Sequence, residues 1–201
     1  TPGTVEDDYQ AGQQVVESDL TVDGDRAGGY QYLWSPRYID APILRDTLNT
    51  AGTAILQAQR VFYLADANYN VTGLVKYDSG SSQWQVAERY TYTPYGVATY
   101  RNADWTTAGS SANGNTTLYT GRTLDLATLL YYYRARYNDA GLERFINRDP
   151  IGYKGGINLY SYVGNEPIGQ RDPQGTSYCT KSLRSQCIDN ADLHLYMCTT
   201  L

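Results

Sequence analysis

Short runs of alternating aromatic and polar residues, each closed by a turn, recur along most of this chain and leave little room for any fold but a sheet. Tyr30-Gln31-Tyr32-Leu33-Trp34 is the first, and residues 60–64, 69–77, 84–92, 97–100 and 129–137 repeat the theme. Alternation with a period of two is the pattern of a half-buried strand. Between the runs stand small polar residues, Gly and Pro, at 65–68, 78–82, 93–96 and 138–141, each suited to a tight turn. No stretch carries the Ala, Leu, Glu and Lys filling of a long amphipathic helix. Tyr supplies 21 residues against two Phe and one Met, and 19 Gly add turn capacity. Tyr favours strands, so the chain is expected to be all-β, built of short strands and turns.

The runs form a loose repeat of strand, turn and strand: FYLADANYNVTGLV, RYTYTPYGVATY and RARYNDAGLERFI. A lone hairpin is marginal in water, so these units must pair edge to edge into a larger twisted sheet. Residues 1–29 are polar and acidic, with one strand signal at Gln14-Val15-Val16, and are expected to form a poorly ordered leading segment. Two prolines make 35–42 a turn or an edge. Residues 44–60 read as a loop within a hairpin and 101–116 as a surface loop. Leu118-Tyr119 is expected to open a strand, and 129–137 to form one continuous strand.

A net charge of −5 without blocks of one sign argues against a nucleic-acid face. No apolar run is long enough for a membrane span. The acidic start lacks an apolar core and an initiator Met, so the chain reads as a piece of something longer. Cys179, Cys187 and Cys198 all lie near the end. A disulfide framework across the domain is thereby excluded, leaving one bridge plus a free thiol, or three free thiols. One His and no CxxC pair give no metal-ligand pattern, and no cofactor motif stands out.

Between residues 131 and 175 one phrase occurs twice. Asp149-Pro150-Ile151-Gly152 is echoed by Asp172-Pro173-Gln174-Gly175, with Arg136 upstream. The phrase makes a good turn, since Asp caps, Pro presets φ and Gly takes the special conformation. It also offers chemistry. Two carboxylates held close share a proton, so one can activate water while the other protonates the scissile group. Gly155, Gly156 and Gly164 would let the chain between them fold tightly. A neighbouring Arg136 would hold one carboxylate ionised, lowering its pKa by about 1–3 pH units, and leave the other as proton carrier. Its plainer role is a cross-strand ion pair.

The hairpins resemble YD repeats. RYNDAGLERFINRDPIG, then GGINLYSYVGNEP and the second Asp-Pro-x-Gly, resemble the RHS repeat-associated core domain of RHS/YD-repeat proteins. The resemblance is strongest over 118–175. It implies a YD-type β-hairpin region at 30–130 forming a twisted, shell-wall-like sheet. A compact RHS core at 131–176 would close that sheet, and 177–201 would be a variable C-terminal tail. It further implies an aspartyl autoprotease of a single turnover, with Asp149 and Asp172 as the cutting pair and Arg136 in support. Pro150, Gly152, Pro173 and Gly175 would shape the two turns. The bond cut would join Thr176 to Ser177, although the resemblance leads one to expect an apolar residue where Thr176 stands.

The partners implied are the rest of its own RHS/YD shell and an encapsulated C-terminal cargo. A bacterial origin, a polymorphic toxin and a secreted or cell-surface setting follow from the same resemblance. Two alternatives remain open: a purely structural shell wall, or an adhesion module using Trp34, Trp84 and Trp105. Cross-strand packing explains those rings as well. Asn70 and Asn115 fit the glycosylation pattern, which a bacterial origin makes irrelevant. Ser177 and His194 have no partners in sequence that would make them a nucleophile and its base.

Overall fold

The computed structural model describes residues 5–10, 13–19 and 28–180, with side chains from 28 to 178. The fold is all-β, and the described residues contain no α-helix, only four short 3-10 turns. The larger sheet is an antiparallel meander whose strands neighbour one another in chain order. These are β1 (Val5–Gln10), β2 (Gln13–Asp19), β3 (Tyr30–Trp34), β4 (Pro42–Thr47), β5 (Val61–Ala65), β6 (Val71–Asp78), β7 (Gln83–Tyr92) and β8 (Ala98–Asn102). A second antiparallel sheet follows, in the order β12-β11-β10-β9. Its strands are β9 (Leu124–Asp125), β10 (Leu130–Tyr133), β11 (Arg136–Asp139) and β12 (Arg144–Phe145). A last pair joins β13 (Gln170–Arg171) to β14 (Cys179–Thr180). The tail from residue 181, including Cys187, His194 and Cys198, and the side chain of Cys179 lie outside the described residues.

The alternation does what its period requires. Val61 and Tyr63 on β5, Val71 on β6 and Tyr90 on β7 point into one core with Leu74, all but excluded from solvent. Tyr119, Tyr131, Tyr133, Phe145 and Tyr162 continue that core under the second sheet. Tyr133, Phe145 and Tyr162 form a mutual edge-to-face triangle with centroids 5.4–5.7 Å apart, each pair contributing about 0.5–1.5 kcal/mol beyond area burial.

The preference for Tyr over Phe has a structural reason. The Tyr119 hydroxyl donates to the Pro94 carbonyl (2.8 Å) and that of Tyr131 to the Gly96 carbonyl (2.9 Å). Tyr133 meets Thr120 Oγ1 at 2.9 Å and donates to the Tyr162 hydroxyl at 3.0 Å. Each buried ring thus supplies apolar area and also ties down a turn or a neighbour, which satisfies its own buried hydroxyl.

Three local expectations differ from the structure. The loop expected from 44 opens with β4, whereas the strand signal at Gln14-Val15-Val16 lies within β2. Leu118-Tyr119 leads into a 3-10 turn at Tyr119–Gly121, with Thr120 at φ 49°, because Tyr119 sinks into the core and Thr120 bonds Tyr133. The run 129–137 is a hairpin, not one strand. It reverses at Arg134 and Ala135, pairing Tyr133 with Arg136. Arg134 takes φ 59°, an uncommon conformation for a side-chain-bearing residue, and its guanidinium is anchored on both sides, to Asp40 and to the Pro173 carbonyl.

Candidate functional site

Both Asp-Pro-x-Gly phrases fold as turns. The Gly152 N–H donates to the Asp149 carbonyl at 3.1 Å, and the Ile151 N–H to Asp149 Oδ1 at 3.0 Å. In the second copy Asp172 Oδ1 accepts the N–H groups of Gln174, Thr176 and Ser177 at 3.2, 3.1 and 3.3 Å. Gly175 stands at φ 70°, and a Cβ there would lie 2.2 Å from the Tyr133 carbonyl oxygen. Only glycine lets the second turn press onto the β10–β11 reversal.

The turns also bring Asp149, Asp172 and Arg136 together. Arg136 Nη1 pairs with Asp149 Oδ2 and Arg136 Nη2 with Asp172 Oδ2, both at 3.1 Å. All three side chains are at most 5% exposed. The guanidinium also donates from Nε to the Gly175 carbonyl (2.5 Å) and from Nη1 to the Leu159 carbonyl (3.3 Å), and it lies 3.6 Å from the centre of the Phe145 ring. Arg136 therefore bridges both carboxylates rather than serving one of them.

Burial separates Asp172 from an ordinary carboxylate. It pushes the Asp172 pKa up to about 6, against the pull of Arg136, the Thr176 N–H and Arg122. Burial likewise lowers the pKa of Arg136, opposed by the two aspartates. A carboxyl whose pKa burial has raised to about 6 can act as a proton donor where a solvated one cannot.

The peptide bond joining Thr176 to Ser177 lies against Asp172. Its N–H faces Asp172 Oδ1. A Cβ placed on Gly155 would stand 2.5 Å from Asp149 Oδ2 and 3.2 Å from the Thr176 carbonyl oxygen. Gly155 thus marks a point that the Asp149 carboxylate and the Thr176 carbonyl both approach.

Three residues around the second turn escaped the sequence reading. Asp40 lies on the turn between β3 and β4, is buried, and pairs with Arg122 (2.9 Å) and Arg134 (2.8 Å). A usable signal was present for Arg134, a charge in the middle of an aromatic run. Asp40 and Arg122 offered none. Each of the three Trp packs against a neighbouring side chain: Trp34 stacks with Tyr32, Trp84 packs edge-on against Phe62 and its cross-strand neighbour Tyr77, and Trp105 lies under Arg89.

No family model matches the chain. Over 155 residues it is 30% identical to the double-stranded DNA deaminase toxin A of Burkholderia cenocepacia, covering 74% of this chain and 10% of that protein. Over 92 residues it is 37% identical to toxin subunit YenC1 of Yersinia entomophaga, covering 45% of this chain and 9% of that one. This chain is similar to a segment of toxin proteins. It spans about a tenth of the length of these two relatives. The crystal structure of TcdB2-TccC3-TEV superimposes with a TM-score of 0.61 at 23% identity, over 85% of this chain and 8% of that one. What is shared with that structure is the all-β fold described above.

Proposed function

We propose that this chain is the C-terminal part of an RHS/YD-repeat shell protein that cuts its own backbone between Thr176 and Ser177. The observation that supports this is that the bond's N–H is held on Asp172, while Gly155 stands against both the Asp149 carboxylate and the Thr176 carbonyl. Asp149 takes a proton from a water that attacks the Thr176 carbonyl carbon. The C–N bond breaks as Asp172, in its acid form, gives its proton to the Ser177 nitrogen. The products are a Thr176 carboxyl and a Ser177 amine, so the proton count balances. Arg136 holds both carboxylates and the Gly175 carbonyl in register. Proximity replaces substrate binding, because the bond belongs to the same chain. Asp149 and Asp172 are the catalytic residues and Arg136 supports them.

The tail from Ser177 would be released into the company of a shell built by the rest of the protein, in a secreted, toxin-type setting. The in-order meander favours a second, compatible reading as shell wall, since an open sheet of this kind continues naturally into further hairpins. The test is intact mass after expression, avoiding hot acid, which breaks Asp-Pro bonds. A fragment ending at Thr176 in the wild type and a whole chain in Asp172→Asn are expected. Equal, uncut masses for both would leave only the wall.

A further inference from the structure

We infer that Asp40 is a positioning residue for the cut: through Arg122 and Arg134 it holds the second Asp-Pro-x-Gly turn in place, so that cleavage requires the β3–β4 turn of the large sheet to have docked. The inference rests on the self-cleavage reading. Asp40 Oδ2 pairs with Arg122 Nη2 at 2.9 Å, and Asp40 Oδ1 with Arg134 Nη2 at 2.8 Å. Both cations then converge on the turn that carries Asp172. Arg134 Nη1 donates to the Pro173 carbonyl at 2.5 Å. Arg122 Nη2 donates to the same carbonyl and, at 3.2 Å, to the carbonyl of Asp172 itself. The Ala135 N–H takes the next carbonyl, of Gln174, at 3.2 Å. Two guanidinium groups meeting on one neutral carbonyl repel each other. A buried carboxylate between them removes that repulsion, and Asp40 is 3% exposed.

The contact from Arg134 to Asp40 spans 94 positions of sequence. Until β3 and β4 are formed and packed, the turn lacks this anchor, and the bond between Thr176 and Ser177 is not held against Asp172. The charges around Asp172 make the arrangement readable. Arg136 and Arg122 face it, with Tyr133 nearby, while Asp149 lies across Arg136 and Arg134 and Asp40 lie behind Arg122. Removing Asp40 leaves Arg122 unneutralised and favours the ionised form of Asp172. Removing Arg122 does the reverse.

The experiment follows cleavage of the full chain made by cell-free synthesis, by intact mass against time and pH, for wild type, Asp40→Asn, Arg122→Met and Asp172→Asn. Both Asp40→Asn and Arg122→Met should slow the cut by about tenfold or more. The pH of half-maximal rate should move down in Asp40→Asn and up in Arg122→Met, by about half a unit to one unit. Wild-type rates, or slowing with an unmoved midpoint in both, would overturn the inference. If either variant fails to fold by circular dichroism, Arg134→Lys is read instead. It keeps the charge but makes one contact where Arg makes two, and should slow the cut several-fold with an unmoved midpoint; a wild-type rate overturns the inference. If the wild type is as uncut as Asp172→Asn, the self-cleavage reading fails. Carboxyl carbon NMR then decides: a lower Asp172 titration midpoint in Asp40→Asn keeps the coupling, and an identical midpoint removes it.

Discussion

Ser177 donates its backbone N–H to Oδ1 of Asp172 at 3.3 Å. A carboxyl group five residues back along the same chain thus contacts the nitrogen that must leave if the preceding peptide bond is cut. Asp172→Asn keeps the shape and an acceptor oxygen but has no acid proton to give. The cut should fall by about 10²–10⁴-fold, with Asp149→Asn falling comparably because it removes the base. Intact mass over days separates these variants from the wild type, and a wild-type rate in either would remove it from the mechanism.

The raised pKa of Asp172 makes two pH statements. In the proposed cut Asp172 acts in its acid form, so the rate should fall as pH rises through about 6. Stability follows the same sign. The folded pKa, about 6, lies above the ordinary 3.8, so the folded state holds the proton more tightly than the unfolded one. Its stabilising contribution is full below about 3.8 and is lost as pH climbs to about 6, on the order of 3 kcal/mol at most. Urea unfolding of Asp149→Asn, which stays whole, should show this loss, and the Asp149→Asn, Asp172→Asn double variant should not.

Arg136→Lys tests the bridge. Lys cannot donate in a fork to two carboxylates and two backbone carbonyls while lying flat on Phe145. Leaving buried charges poorly paired should cost about 3–5 kcal/mol of stability and abolish the cut. A thermal melt and intact mass on one preparation read both. A variant of wild-type stability would mean that the bridge contributes little.

The sequence made the strands and the two aspartates legible for different reasons. Alternation at 30–34, 60–64 and 84–92 translates directly into a buried and an open face, and strands stand there to within a residue at each end. The aspartates were legible because a phrase occurring twice invites the question of why both copies begin with Asp. The reversal at Arg134 was not, because an aromatic run with two arginines gives no turn signal. Its left-handed backbone accompanies contacts to Asp40, 94 positions away, and to Pro173, 39 positions away. Asp40 and Arg122 were hidden for the same reason. Each looks like an ordinary surface charge until the two sheets meet and bury it.

Gly155 gives the cleanest probe of the proposed cut, because its side-chain direction points into the narrow space between Asp149 and the Thr176 carbonyl. A methyl group there would stand 2.5 Å from Asp149 Oδ2, closer than atoms tolerate, and a tight 3.2 Å from the Thr176 oxygen. The first contact is with a carboxylate that Arg136 and the Ile151 N–H hold in place, so it cannot swing aside freely. Gly155→Ala should therefore push Asp149 and the peptide bond apart. A displacement of this kind costs about 10²-fold in rate and about 1–3 kcal/mol in stability through overpacking. Gly156→Ala, where nothing lies within 4 Å of the added Cβ but φ is 133°, is the control: it strains the backbone without filling the space, so stability should fall while the cut persists in the folded fraction. Equal cleavage by folded Gly155→Ala and wild type would mean that the approach at Gly155 has no part in the reaction.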